Sequence, residues 1–105
     1  MDKKAIDYAS EYASILRYKI GTHLKQVVLF GSQARGEARI ESDYDMFVLV
    51  DKRTPDVREA VLDADVEMMN RYETLFAALI YDEQEWRDAS KSPLGWNIKQ
   101  EGIPV

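Results

Sequence analysis

Two aspartates and a glycine–serine pair are the residues of this sequence best suited, by type and spacing, to chemistry. Gly31-Ser32 follows the apolar run Val27–Phe30, and Asp43-Tyr44-Asp45 begins after ten further residues. Residues two apart on a strand project to the same side, so Asp43 and Asp45 are expected to lie together. Neighbouring carboxylates repel each other unless a cation lies between them, and their oxygens suit Mg²⁺. The pair therefore predicts a metal site.

Gly31, Ser32 and Arg35 are predicted to bind phosphate beside that metal. Gly31 lacks a Cβ and allows a close backbone approach, and Ser32 opens a short predicted helix whose first amides favour an anion. Arg35 follows one turn later, where its guanidinium can pair with phosphate oxygens. Simpler interpretations stay open, with Ser32 as a helix cap and Arg35 in a surface salt bridge. A phosphate site next to metal ligands predicts nucleotidyl transfer.

The whole pattern resembles the signature of the polymerase-β-like nucleotidyltransferase superfamily, and is most similar to its minimal prokaryotic members. The segments from Leu75–Tyr81 to Glu101-Gly102 resemble the same group, so the likeness covers nearly the whole chain. It implies Mg²⁺-dependent transfer of AMP from ATP to a hydroxyl, with Asp43 and Asp45 as catalytic and metal-binding residues. Such domains are similar to antitoxins encoded beside an all-helical HEPN protein, which carries the acceptor tyrosine. The resemblance thus implies a HEPN-type partner and a nucleoside triphosphate ligand.

One expected residue is missing from this pattern. Members of the superfamily usually carry a third carboxylate on the strand that corresponds to Leu75–Tyr81, and Ala77 occupies the expected position here. Glu73, Asp82, a partner or the substrate remain alternatives for completing the site. The departure keeps open a second hypothesis, a catalytically weak or inactive nucleotide-binding module that neutralises a HEPN-type partner by complex formation. A nucleotide-sensing regulatory subunit is a third.

Hydrophobic periodicity predicts an α/β fold, with a small mixed sheet and helices packed mainly on one face. The predicted elements alternate along the chain and are separated by Gly, Pro and polar residues. In order they are a helix from Asp2 to Ile20, a strand Val27–Phe30, a short helix Ser32–Gly36, a polar connection Glu37–Ser42, a strand Asp45–Val50, a helix from Thr54-Pro55 to Tyr72, a strand Leu75–Tyr81, a helix Asp82–Ser90 and a helix from Pro93 to before Gly102.

Composition limits the class of protein. The 105 residues suit a single domain, 1–105, and a domain so small is compatible with a homo-oligomer. The net charge of −5 argues against a broad nucleic-acid surface, and the absence of cysteine excludes disulfides and thiolate sites. No apolar run reaches the roughly 18 residues that a membrane helix needs, and the N-terminus lacks a signal-peptide pattern. A cytoplasmic location is therefore expected.

Overall fold

The computed structural model describes residues 3–36 and 43–105. The predicted helix start at Asp2 and the polar connection Glu37–Ser42 lie outside these residues. The described helices are α1 (Lys3–Ile20), α2 (Gly31–Arg35), α3 (Pro55–Tyr72), α4 (Glu83–Ala89) and α5 (Pro93–Glu101), with a 3₁₀ turn at Gly21–His23. The described strands are β1 (Leu24–Phe30), β2 (Tyr44–Val50), β3 (Phe76–Asp82) and β4 (Ile103–Pro104).

The strands form one mixed sheet in the order β3-β2-β1-β4. β2 is antiparallel to β1 and parallel to β3, which it reaches through the crossover helix α3. β4 pairs with the other edge of β1, where Leu29 faces Ile103. β2 therefore lies between two long neighbours, so residues at its start are held from both sides.

Each face of the sheet has its own apolar core. Alternate strand residues, among them Leu29, Met46 and Val48, are fully buried under the long helices α1 and α3. On the opposite face Val28 and Phe47 pack against Ile98 of α5. The ring centroids of Phe47 and of Trp86, in α4, lie 4.5 Å apart. The larger core lies on the α1–α3 face, which confirms the predicted α/β class with a mixed sheet and helices mainly on one side.

Local signals in the sequence account for the helix starts. The Thr54 side chain accepts a hydrogen bond from the Val57 amide, and Pro55 occupies the first turn, where its missing N–H costs nothing. Asp82 and Glu85 form a reciprocal capping box at the start of α4. The Ser92 side chain accepts a hydrogen bond from the Gly95 amide at the start of α5, and Pro93 occupies its first turn. The predicted helices are confirmed to within one or two residues at these starts.

Three details differ from the sequence-based expectations. β1 begins at Leu24, three residues before the predicted start, because β2 extends the pairing as far as Val50. The helix α2 begins at Gly31 with Phe30 at the N-cap position and no side-chain cap, so the interpretation of Ser32 as the cap was wrong. β4 was not predicted, since a two-residue strand carries no periodicity.

None of the helices in residues 3–36 and 43–105 is both long and apolar enough to cross a lipid bilayer.

Candidate functional site

Asp43 and Asp45 lie together at the start of β2. Between them, Tyr44 is buried and stacks on Phe76, with ring centroids 4.8 Å apart. Because neighbouring residues on a strand face opposite ways, burial of Tyr44 directs the two carboxylates to the other face. Asp43 is exposed and precedes the strand, while Asp45 is partly buried and pairs with Phe30 of β1. The expected juxtaposition of the two acids is present.

Gly31 contacts Asp45 so closely that any side chain at this position would have to displace the Asp45 carboxylate. A Cβ placed on Gly31 would overlap the Asp45 carboxylate, and Gly31 also has a φ of +76°, which other residues rarely adopt. Gly36, at the end of the same short helix, has a similar φ of +72°, but a Cβ there would meet no described atom within 4 Å. Gly31 is therefore required for its size as well as for its conformation.

The electrostatic environment of Asp45 disfavours its charge. Burial raises the pKa of Asp45 above its usual value, and the nearby Asp43 carboxylate raises it further, while Arg35 acts in the opposite direction. A carboxyl with a raised pKa and an acidic neighbour is stabilised by a bound cation. The donor set and its electrostatics fit a hard divalent ion such as Mg²⁺.

Arg35 lies near the acidic pair but also has a partner of its own. Its Nη1 donates to Oε2 of Glu101, the last residue of α5, at 2.9 Å. The salt-bridge interpretation of Arg35 is thus correct for this contact, and phosphate binding by Arg35 stays a prediction. Ser32 is partly buried in the first turn of α2. Glu101 was not predicted from the sequence, because no local pattern indicates a contact between residues that are 66 positions apart, as Arg35 and Glu101 are.

The pairing of β3 with β2 shows which position lacks the expected third carboxylate. Ala77 pairs with Asp45 and is exposed, so it occupies the neighbouring position on the same face. Asp82 pairs with Val50, five residues further along and about 17 Å away at the usual rise of a strand. Asp82 also caps α4, so it does not replace the acid. Glu73 lies before β3, at the end of the sheet where the Tyr44 amide bonds to Leu75.

Across the described part of the chain, no three His, Cys, Asp or Glu side chains come together as a metal-binding group. The carboxylates of Asp43 and Asp45 therefore form a two-residue set there. Mg²⁺ commonly takes one or two protein carboxylates and completes its shell with water and substrate phosphates. Such a small set is sufficient for an ion that arrives with a nucleotide.

Two archaeal proteins are similar to this chain over most of its length. Both come from Methanocaldococcus jannaschii and are named as candidate protein adenylyltransferases. One is 27% identical over 101 residues, which is 96% of this chain and 94% of the relative. The other is 30% identical over 98 residues, or 90% of this chain and 67% of the relative.

Solved structures of toxin–antitoxin complexes contain chains with a similar fold. A chain from a toxin–antitoxin complex with AMP-PNP has a TM-score of 0.64 at 20% identity, covering 99% of this chain and 72% of its own. A chain from the tri-AMPylated Shewanella oneidensis HEPN toxin in complex with its MNT antitoxin has a TM-score of 0.59 at 18% identity, covering 95% and 70%. Residues 9–95 match the nucleotidyltransferase domain family, and the chain belongs to that family.

Proposed function

We propose that this domain transfers AMP from ATP to a hydroxyl group on a HEPN-type partner protein and thereby acts as an antitoxin. Family membership supports nucleotidyl transfer in general. The names of the archaeal relatives support a protein as the acceptor, and the toxin–antitoxin complexes of similar fold support a HEPN-type partner.

The observation that carries this proposal is the acidic pair held against Gly31. Asp43 and Asp45 lie on one face, Gly31 leaves the Asp45 carboxylate just enough space, and the charges are unfavourable without a cation. A structural role alone does not account for two adjacent acids, one of them partly buried. A site that binds Mg²⁺ together with a triphosphate does.

Each residue then has a defined task. Asp43 and Asp45 would hold Mg²⁺, which when bound would neutralise phosphate charge. Arg35 would donate hydrogen bonds to phosphate oxygens, and the Ser32 hydroxyl would do the same. The acceptor oxygen would attack the α-phosphorus in line, forming a new P–O bond as the bond to the β-phosphate oxygen breaks and pyrophosphate leaves.

The proposed reaction also needs a base that accepts the proton of the acceptor hydroxyl. Ala77 provides no base at the position beside Asp45, so the acceptor proton would have to pass to another group, such as Glu73, water or a group on the partner. The same observation supports the second candidate function, a nucleotide-binding module that neutralises its partner by forming a complex without transfer. The two functions differ in their product, because only the first yields a partner protein that carries covalently bound AMP.

The decisive experiment uses ATP labelled at the α-phosphate. The chain would be incubated with the label, Mg²⁺ and the protein encoded by the neighbouring gene, beside an Asp43→Asn/Asp45→Asn variant. We expect label on the partner with the wild type and at least about a hundredfold less with the variant, because the metal ligands are lost. Formation of an equally tight complex by both proteins without any label would favour the binding module.

Replacement of Ala77 by Asp should accelerate transfer. The new carboxylate would lie beside Asp45 and could accept the acceptor proton, a role worth roughly 10²–10⁴ in rate when the geometry is good. We expect at least about a tenfold gain in initial rate of labelling. Leu79→Asp is the control, since it adds the same charge on the same face about 7 Å further along β3. Equal rates for wild type and Ala77→Asp would mean that transfer does not depend on a base at this position.

Replacement of Asp45 by Asn should stabilise the metal-free protein. The pKa of Asp45 is raised on folding, so the wild type loses stability as pH rises from the unfolded-state pKa through the folded-state pKa. Asn carries no charge at any pH. At pH values above the folded-state pKa we expect the variant's Tm to exceed that of the wild type by a few degrees, and at pH values below the unfolded-state pKa we expect the two Tm values to be equal. Thermal unfolding from pH 3 to 8 in EDTA would measure the difference, with the exposed Asp63→Asn as control. A lower Tm for Asp45→Asn at pH 7 would contradict the electrostatic account.

Replacement of Gly31 by Ala should weaken binding of Mg²⁺–ATP. Its Cβ would displace the Asp45 carboxylate, and we expect at least a tenfold rise in Kd, equivalent to about 1.4 kcal/mol. Gly36→Ala is the matched control because it imposes the same backbone strain without the collision. Isothermal titration calorimetry on both folded variants separates the two effects. Equal losses would show that only the backbone conformation matters.

A further inference from the structure

The ion pair between Arg35 and Glu101 joins the proposed phosphate site to the far end of the described chain. Nη1 of Arg35 lies 2.9 Å from Oε2 of Glu101, and both side chains are about one third exposed. Exposed ion pairs usually contribute little to stability, because two long side chains must be held in one geometry. The importance of this pair therefore depends on whether Glu101 is itself held in place.

The backbone that follows Glu101 is closely packed against α5 and β1. Gly102, which follows, lies so close to Ile98 and Val28 that a Cβ on it would overlap both, and its amide donates to the Ile98 carbonyl at 2.9 Å. The next residues form β4 against β1, and the Val105 amide bonds to Val27 at 3.0 Å. The Glu101 side chain thus starts from a backbone whose next residues are packed and hydrogen-bonded against β1.

Arg35 lies near Asp45 as well as beside Glu101. It belongs to the short helix α2, which begins at Gly31, and Gly31 contacts the Asp45 carboxylate directly. Arg35 therefore lies one helical turn from the residue that touches the proposed metal-binding acid, and it is paired with an acid on α5. A guanidinium has five N–H donors in one plane, so a bond from Nη1 to a fixed acceptor sets the direction of the others.

We propose that Glu101 is a positioning residue for nucleotide binding, which orients the Arg35 guanidinium toward the triphosphate beside Asp45. This inference rests on the proposed function, since Arg35 needs a phosphate to meet. Glu101 itself does not touch the nucleotide. Its effect passes entirely through Arg35, which distinguishes it from a residue that only stabilises α5.

A double-mutant cycle on ATP affinity tests this dependence. We expect Glu101→Ala to raise the Kd for Mg²⁺–ATP about tenfold in the wild-type background, and to have no further effect when Arg35 is already Ala. Glu101→Gln keeps an oxygen that can accept from Nη1, so it should restore affinity to within about threefold of the wild type. A purely structural role would lower affinity equally in both backgrounds.

Glu11→Ala is the matched control, because Glu11 also pairs with an arginine, Arg71, at 3.1 Å and is similarly exposed. It should leave the affinity unchanged. Normal binding by Glu101→Ala, with wild-type protein binding ATP, would overturn this inference and leave the proposed function standing. Failure of the wild type to bind Mg²⁺–ATP would overturn the proposed function, and this inference with it.

Discussion

The contact between the Gly31 backbone and the Asp45 carboxylate is the constraint on which the site depends. It joins the end of β1 to the start of β2, so the two halves of the motif meet although ten residues separate Gly31-Ser32 from Asp43. Any side chain at position 31 would move Asp45, and any shift in the β1–β2 register would separate the pair. The antiparallel pairing of Phe30 with Asp45 is therefore as much a part of the site as the acids themselves.

The rest of the fold serves to hold that pairing. The larger core beneath α1 and α3 buries Tyr44, which directs the acids to the opposite face. On that opposite face Ile98 of α5 packs against Val28 and Phe47, and this packing places Glu101 beside Arg35. The α1–α3 face thus orients the two acids, and the α4–α5 face supplies the partner of the arginine. Substitutions in either core could weaken the site without touching it.

Most of the arrangement of the candidate site could be predicted from the sequence, because it depends on residues that are close along the chain. The spacing of Asp43 and Asp45 and the Gly31-Ser32 turn are readable from neighbouring residues, and Thr54-Pro55 marks a helix start by the same kind of signal. Sequence reasoning also identified Ala77 as the position beside the acids, which the β2–β3 register confirms. It could not find Glu101 or β4, because both depend on how a distant segment packs against β1. The wrong cap at Ser32 has a related cause, since a cap depends on backbone torsions as well as on residue type.

Two acids that repel each other in the resting domain have a consequence for its lifetime. A ligand that binds only the folded chain shifts the folding equilibrium by mass action, and the size of the shift is set by the ratio of ligand concentration to Kd. An empty form with two repelling acids has less stability to lose before it unfolds. Under the proposed function, scarcity of nucleotide or Mg²⁺ would leave more of the chain transiently unfolded and open to proteases. The abundance of the protein would then follow the energy state of the cell, with no dedicated sensor beyond the carboxylate pair.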